Sequence, residues 1–365
     1  MTVLHLLPDF NYTAAGRQVG LLAPALGGSV EVHVAGLGPD GPLAGPLAAA
    51  GVPVHVLGTM QRFNLVAWRR LRSLVHGLRP DVVHAWRLPA VRAAGIVRFR
   101  APADLTAAPL FRLVVSEPRR GGRLNALDRR LLRSADAVTA GDPGEAGAFR
   151  EMGVPANRVH QMPPVVVPPP AGPPPLDVPL PPGAKVILCV GALTKPHGFR
   201  DAVWAADILR YVVPELRLVI VGDGPERDRL ERFALGINPD GGQVHFLPAR
   251  PDAAALLARA DVVWVPSRKD CGRQVLLEAL AAGRPVVAAV VPALVAVVED
   301  GRTGLLTPPG DAQELARRTR PLLDDPALAA KLGAAGRAAA AGFAPDRVAP
   351  AYAALYAALG ERSGG

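Results

Sequence analysis

Short apolar runs alternate with amphipathic stretches along nearly the whole chain, and the alternation is interrupted once, by PPVVVPPPAGPPPLDVPLPP at 163–182. Before that break lie VLHLL (3–7), VEVHVAG (30–36), VPVHVLG (52–58), DVVHAW (81–86), RLVVSE (112–117) and ADAVTAG (135–141), with helical spacing at 16–26, 42–50, 63–77 and 124–133. After it come KVILCVG (185–191), LRLVIVG (216–222), VHFLP (244–248), DVVWVP (261–266) and PVVAAV (285–290), separated by helical candidates at 198–211, 225–234, 251–259 and 273–282. Apolar strands joined by helices imply parallel sheets covered on both faces, built with right-handed crossovers. Proline removes backbone donors and favours extended geometry, so 163–182 reads as a linker between an α/β domain at 1–162 and a second at 183–340. Docking to a proline-recognition module is the lesser alternative. The stretch 312–358 is helical and Ala-rich, with apolar spacing at Val348, Ala351, Leu355 and Leu359, and 341–365 is read as a helix returning toward the first domain.

Length agrees with two domains, since 365 residues that are 50% apolar exceed one ordinary core. No apolar run reaches the roughly 18 residues of a membrane span, and MTVLHLLPDF lacks the basic head and small-residue cleavage site of a secretory leader. A cytoplasmic location is the expectation. Cys189, in an apolar strand, and Cys271, in a loop, form neither a disulfide framework nor a metal cluster. The net charge of +9 comes largely from arginine, in short groups such as Arg69-Arg70, Arg119-Arg120 and Arg129-Arg130. Such a balance favours phosphates or an anionic membrane surface. Nucleic acid is set aside, because no aromatic stacking set, zinc finger or helix-turn-helix pattern accompanies the charge.

The chemistry concentrates in DVVWVPSRKDCGRQVLLEALAAGRPVVA at 261–288: a buried strand, a polar loop carrying Asp270, a helix carrying Glu278, and another strand. Amides at the start of such a helix, Gln274, Val275 and Leu276, can meet phosphates, while a carboxylate further along takes hydroxyls. Glu278 sits among Leu276, Leu277, Ala279 and Leu280, and carboxylates are rarely buried without a partner. Gly191 and Gly222 end strands where the chain must turn beside a ligand, although a turn glycine is the plain alternative.

Five segments in order, VGALTKPHGFRDAV (190–203), VGDGPERDRLE (221–231), VHFLP (244–248), PSRKDCGRQVLLEALAAGRPVVA (266–288) and VEDGRTGLLTPPGD (298–311), resemble the family 4 glycosyltransferases. The resemblance implies the GT-B fold, an α/β class with two Rossmann-like parallel-sheet domains facing across a cleft. It also implies sugar transfer from a nucleotide-diphosphate donor with retained configuration, and neither a metal nor another cofactor. By that resemblance Glu278 binds ribose and Asp270, in place of the usual Glu, faces the sugar near the reacting carbon.

Departures from the family pattern cluster at the chemistry. Ala192 and His197 stand where the family carries an Arg and a Lys that stabilise the leaving diphosphate. Lys195, Arg268, Lys269 and Arg273 are the available substitutes, and His197 is as readily an ordinary loop histidine. Pro292, Ala293 and Ala296 occupy a glycine-rich donor loop, so donor binding there must differ. In the first domain the Gly-Gly loop appears as Thr13-Ala14-Ala15-Gly16 followed by Arg17, and the family's acceptor histidine is missing from RLVVSEPRR, leaving Glu117 or Arg119 in its neighbourhood. His84 matches a frequent family histidine, with a packed strand-end histidine equally open.

The expected catalytic residues are therefore Asp270, Lys195 and Glu117. The expected donor contacts are Gly191, Lys195, His197, Gly222, Arg268, Lys269, Asp270, Arg273, Gln274, Val275, Leu276 and Glu278, with Gly16, Arg17 and His84 on the acceptor side. The leading reading is a hexosyltransferase using a UDP- or GDP-sugar and a glycan or lipid-linked acceptor at the inner membrane face. A catalytically silent homologue that binds or scaffolds is the alternative. Epimerase chemistry is a distant third, since no proton-abstracting constellation is visible.

Overall fold

A computed structural model describes residues 1–58, 65–98, 109–116, 124–239 and 241–361. The chain divides into two compact units, Met1–Val165 with Phe343–Gly365, and Val166–Gly342.

In the first unit the strands are β1 (Thr2–Leu7), β2 (Glu31–Gly36), β3 (Val54–Val56), β4 (Val82–Trp86), β5 (Arg112–Ser116), β6 (Ala137–Ala140) and β7 (Val159–Gln161), interleaved with helices α1 (Ala14–Leu26), α2 (Ala44–Ala49), α3 (Leu65–Leu78), α4 (Arg87–Val97), α5 (Ala126–Ser134) and α6 (Pro143–Glu151). They form a sheet of order β3-β2-β1-β4-β5-β6-β7 in which every neighbouring pair is parallel. Alternate residues fill opposite faces: Val34, Val82 and Val114 in one cluster, Ala35, Val83 and Val115 in the other. This double burial is why the strands read as continuous apolar runs.

The second unit repeats the plan with β8 (Lys185–Val190), β9 (Leu216–Val221), β10 (Val244–Leu247), β11 (Val262–Val265), β12 (Val286–Ala289) and β13 (Leu305–Thr307), in the order β10-β9-β8-β11-β12-β13, again all parallel. Its helices are α7 (Phe199–Arg210), α8 (Arg227–Ile237), α9 (Ala253–Leu256), α10 (Arg273–Ala281), α11 (Pro292–Val295), α12 (Ala312–Asp324) and α13 (Pro326–Ala340). Both sheets are thus Rossmann-like, with strand order reversing at β1/β4 and at β8/β11.

The proline-rich segment is tied to the second unit. Arg259 donates to the carbonyls of Pro173 and Pro174, Arg250 reaches Asp177 at 2.9 Å, and Leu176 is buried. The segment's first residues stay with the first unit, where Gln18 exchanges hydrogen bonds of 2.9 and 2.6 Å with the backbone of Val165.

The last helix, α14 (Pro345–Glu361), packs on the first unit. The residues it buries are Val348, Ala349, Tyr352, Leu355, Tyr356 and Leu359, so Ala351 is exposed and Tyr352 takes the place expected of it. Tyr352 stacks on His84 of β4, which belongs to a buried polar network: His84 bonds the Tyr356 hydroxyl through Nδ1 and Ser116 Oγ through Nε2, each at 2.6 Å, and Trp86 Nε1 donates to His5 Nδ1 at 3.0 Å.

Burial pushes the His5 imidazole down to about 3 and, with His5 beside it, holds His84 well below its ordinary value. Both rings fold neutral, whereas the unfolded chain protonates them near pH 6.5. The unfolded state then binds more protons below that pH, so stability is complete above it and is lost as pH falls, by at most about 1.4 kcal/mol per pH unit per histidine. The melting temperature is therefore expected to fall between pH 7 and pH 5, above the range where carboxylates titrate. A flat profile over that window would mean the rings charge in place.

Candidate functional site

Ligands of open parallel sheets lie beyond the carboxyl ends of the strands, where strand order reverses. In the second unit that point is the β8/β11 junction, and the loops leaving β8, β9 and β11 meet there through their backbones. A Cβ on Gly222 would stand 1.8 Å from the Gly191 carbonyl oxygen, so only glycine lets the β8 and β9 ends approach. Leu193 N–H donates to the Asp223 carbonyl at 2.9 Å, and Arg268 N–H to the Pro196 carbonyl at 2.8 Å.

The β11 loop delivers α10, whose N-cap is Gly272; no side chain caps the helix and its first turn carries no acid. A helix start of this kind presents amides and a partial positive charge. Leu276 N–H donates to the Gly272 carbonyl at 3.0 Å, which closes the first turn. The turn ahead of it, Arg273 to Val275, is accordingly the part of α10 nearest the loop, one residue earlier than the expected Gln274 to Leu276. Glu278 lies one turn further in, 6% exposed, with Oε1 accepting from Gln274 Nε2 at 2.9 Å.

The expected cations are distributed unequally. Lys195 is exposed at the start of a single 3-10 turn, Lys195–His197. His197 bonds Thr194 Oγ1 through Nδ1 at 2.8 Å, stacks on Phe199, and lies against Gly191 at the end of β8. Lys269 is exposed, and Arg273 begins α10. Arg268 makes two bonds of 2.6 Å to Asp201, one from Nε and one from Nη2, and these raise its pKa further.

Asp270 Oδ1 accepts the Ala293 amide at 2.6 Å. That bond belongs to a wider change in the segment where the family carries glycines. Pro292 has no amide, Leu294 and Val295 donate to Val291, Val291 donates to Ala289, and Val290 donates to Thr307. The amides from 290 to 295 are all consumed within the protein, and the segment is the short helix α11 rather than an open loop.

In the first unit Gly16 and Arg17 sit in the first turn of α1, beyond the end of β1; Gly16 N–H donates to Thr13 Oγ1 at 3.2 Å, and a Cβ at Gly16 would meet the Asn11 carbonyl oxygen at 2.2 Å. His84 is fully buried with both ring nitrogens engaged, which is the packed strand-end role. Glu117 and Arg119 lie outside the described residues. Asp201 was not anticipated; its only sequence signal is an acid in the first turn of a helix. Among the described residues no group of three or more His, Cys, Asp or Glu is placed to hold a metal ion.

Residues 184–325 match the family described as glycosyl transferases group 1, and residues 13–164 match the glycosyl transferase 4-like domain. The chain is 30% identical over 284 residues to the lipopolysaccharide core biosynthesis glycosyltransferase LpsD of Rhizobium meliloti, covering 76% of this chain and 74% of that one. It is 35% identical over 161 residues to the glycogen synthase of Mycobacterium tuberculosis, 42% of this chain but only 38% of that relative's length. Among solved structures, Anabaena Alr3699/HepE in complex with UDP and glucose matches with a TM-score of 0.80 at 21% identity, covering 98% of this chain and 99% of that one, a likeness of fold.

Proposed function

Since the chain belongs to the family 4 glycosyltransferases and has their GT-B fold, we propose that it moves a hexose from a UDP- or GDP-type donor to a hydroxyl of a glycan or lipid-linked acceptor, with retained configuration. One observation carries the donor half of this reading: α10, with no side-chain cap and no acid in its first turn, begins at the strand-order reversal with a buried carboxylate one turn inside. The first turn of α10 would hold the diphosphate and Glu278 the ribose. In the transfer, the bond from the anomeric carbon to the diphosphate oxygen breaks with its electron pair leaving on the nucleotide; the acceptor oxygen bonds that carbon and its proton passes to the departing diphosphate oxygen. Lys195, with Lys269 and Arg273, would offset the charge gathering on the departing diphosphate, where the family's Arg and Lys are absent. Asp270 would turn Oδ2 toward a sugar hydroxyl while Oδ1 stays on Ala293. UDP and glucose in HepE, and the lipopolysaccharide core role in the name of LpsD, support this choice of donor and acceptor class.

The test is a panel of UDP- and GDP-sugars with purified protein, read by nucleotide release and by calorimetric titration. Slow hydrolysis of one donor is expected. Failure to bind any nucleotide would leave the catalytically silent reading in its place.

The acceptor side favours an anionic membrane surface as partner. Helix α3 carries no acid, exposes Val66 (52%) and Trp68 (39%), and places Arg69, Arg70 and Arg72 in solvent. Aromatic and apolar side chains flanked by arginines suit a helix lying in a headgroup layer. Among the described residues no helix is long and apolar enough to cross a membrane. Sedimentation with phosphatidylglycerol vesicles is expected at low salt and release at about 0.5 M salt, where screening shortens to a few ångström; binding indifferent to salt and lipid charge would remove this surface.

A further inference from the structure

We propose that Arg268 is a positioning residue rather than a diphosphate ligand: with Asp201 it clamps the 266–272 loop to the start of α7, so that the first turn of α10 is held ready before a donor arrives. The inference rests on the donor site proposed above and assigns one of its residues a different task.

The geometry is that of a two-pronged guanidinium–carboxylate pair, both bonds at 2.6 Å. Asp201 belongs to the first turn of α7 and its side chain is only 9% exposed, so the anchor is fixed by the second-unit core, while Arg268 is half in solvent and could otherwise wander. The same residue is pinned through its backbone, since Arg268 N–H donates to Pro196, and the Cys271 thiol reaches that carbonyl at 3.4 Å. At its far end the loop is held by Asp270 on Ala293. A cation that serves a departing diphosphate must be able to turn to it. Arg268 would first have to give up a carboxylate that meets both prongs. What the clamp supplies instead is order: a loop already in place loses no conformational freedom on binding, and that gain appears in donor affinity rather than in the chemical step.

Asp201→Asn separates the two roles by sign. The clamp weakens, so donor KM is expected to rise about tenfold with kcat within about twofold, and Asp201→Asn/Arg268→Ala should be no worse than Arg268→Ala alone, as expected for one coupled unit. Arg268→Lys, which keeps the charge but not the fork, should resemble Asp201→Asn. A diphosphate role predicts the reverse: Asp201→Asn frees the guanidinium and leaves KM unchanged or lower, while Arg268→Ala cuts kcat; that result would overturn the proposal. Hydrogen exchange on the free protein reads the clamp without any substrate. Faster exchange at the Arg268 and Cys271 amides in Asp201→Asn is expected, and unchanged exchange would also overturn it. Were the wild type to bind no nucleotide sugar, the functional reading would fall while the exchange result still decided the clamp.

Discussion

Glu278→Ala is expected to abolish measurable nucleotide binding, a loss of roughly a hundredfold or more, while the melting temperature holds or rises. The magnitude follows from two ribose hydroxyls donating to one carboxylate, each charged hydrogen bond contributing about 1.5–3 kcal/mol. The stability half follows from position. Glu278 is 6% exposed in the middle of α10, where Oε1 accepts a 2.9 Å bond from Gln274 four residues earlier. Removing a largely buried carboxylate relieves desolvation, and alanine is the better helix former. A residue that lowers stability in the resting protein and is indispensable with ligand is what a binding carboxylate should look like. Calorimetric titration with UDP and GDP, paired with thermal melts, checks both halves. Unchanged affinity would take Glu278 out of the site; loss of the fold together with binding would make it a structural residue.

The strands were legible because burial on both faces leaves no polar alternation to confuse the reading: VLHLL, KVILCVG and LRLVIVG fall within a residue or two of β1, β8 and β9. Of the three-residue edge strands, β3 was legible because it lies inside the longer apolar run VPVHVLG, whereas β7 and β13 have no such run around them. Helix α4 escaped because RLPAVRAAGIV is apolar almost all round, and α6 escaped despite an interpretable start, Asp142 accepting from Glu145 N–H with Pro143 at the first helical position. At the site, what could be read lay within one continuous segment, such as the loop and helix from Pro266 to Glu278. What could not be read joins distant segments. Nothing in the sequence pairs Arg268 with Asp201, 67 residues away, or Asp270 with the Ala293 amide. The departure at 292–296 was visible as lost glycines, but its result, a proline-initiated helix whose Ala293 amide is taken by Asp270 and whose Leu294 and Val295 amides are taken by Val291, emerges only from hydrogen bonding in three dimensions.

Gly198→Ala should cost the second unit a large share of its stability, on the order of 3–5 kcal/mol. Gly198 ends the 3-10 turn Lys195–His197 and begins α7 with φ at +72°, where an alanine pays about 1 kcal/mol for the left-handed conformation. The larger part is contact. The new Cβ would stand 1.9 Å from the carbonyl oxygen of Pro266 and 2.9 Å from its carbonyl carbon, both backbone atoms with no rotamer to escape into. Relief requires the end of β11 to part from the turn after β8, yet these strands are paired at Val262 with Ile187 and Val263 with Leu188 in the middle of the sheet. Gly301→Ala is the control that separates the two causes: its φ is +74°, but a Cβ there meets nothing within 4 Å. Urea denaturation should therefore show a loss near 1 kcal/mol for Gly301→Ala and several times more for Gly198→Ala. Equal losses would mean that backbone conformation alone sets the penalty and that the β8 and β11 loops can separate at little cost, in which case the rigid donor cradle argued from their contact would not exist.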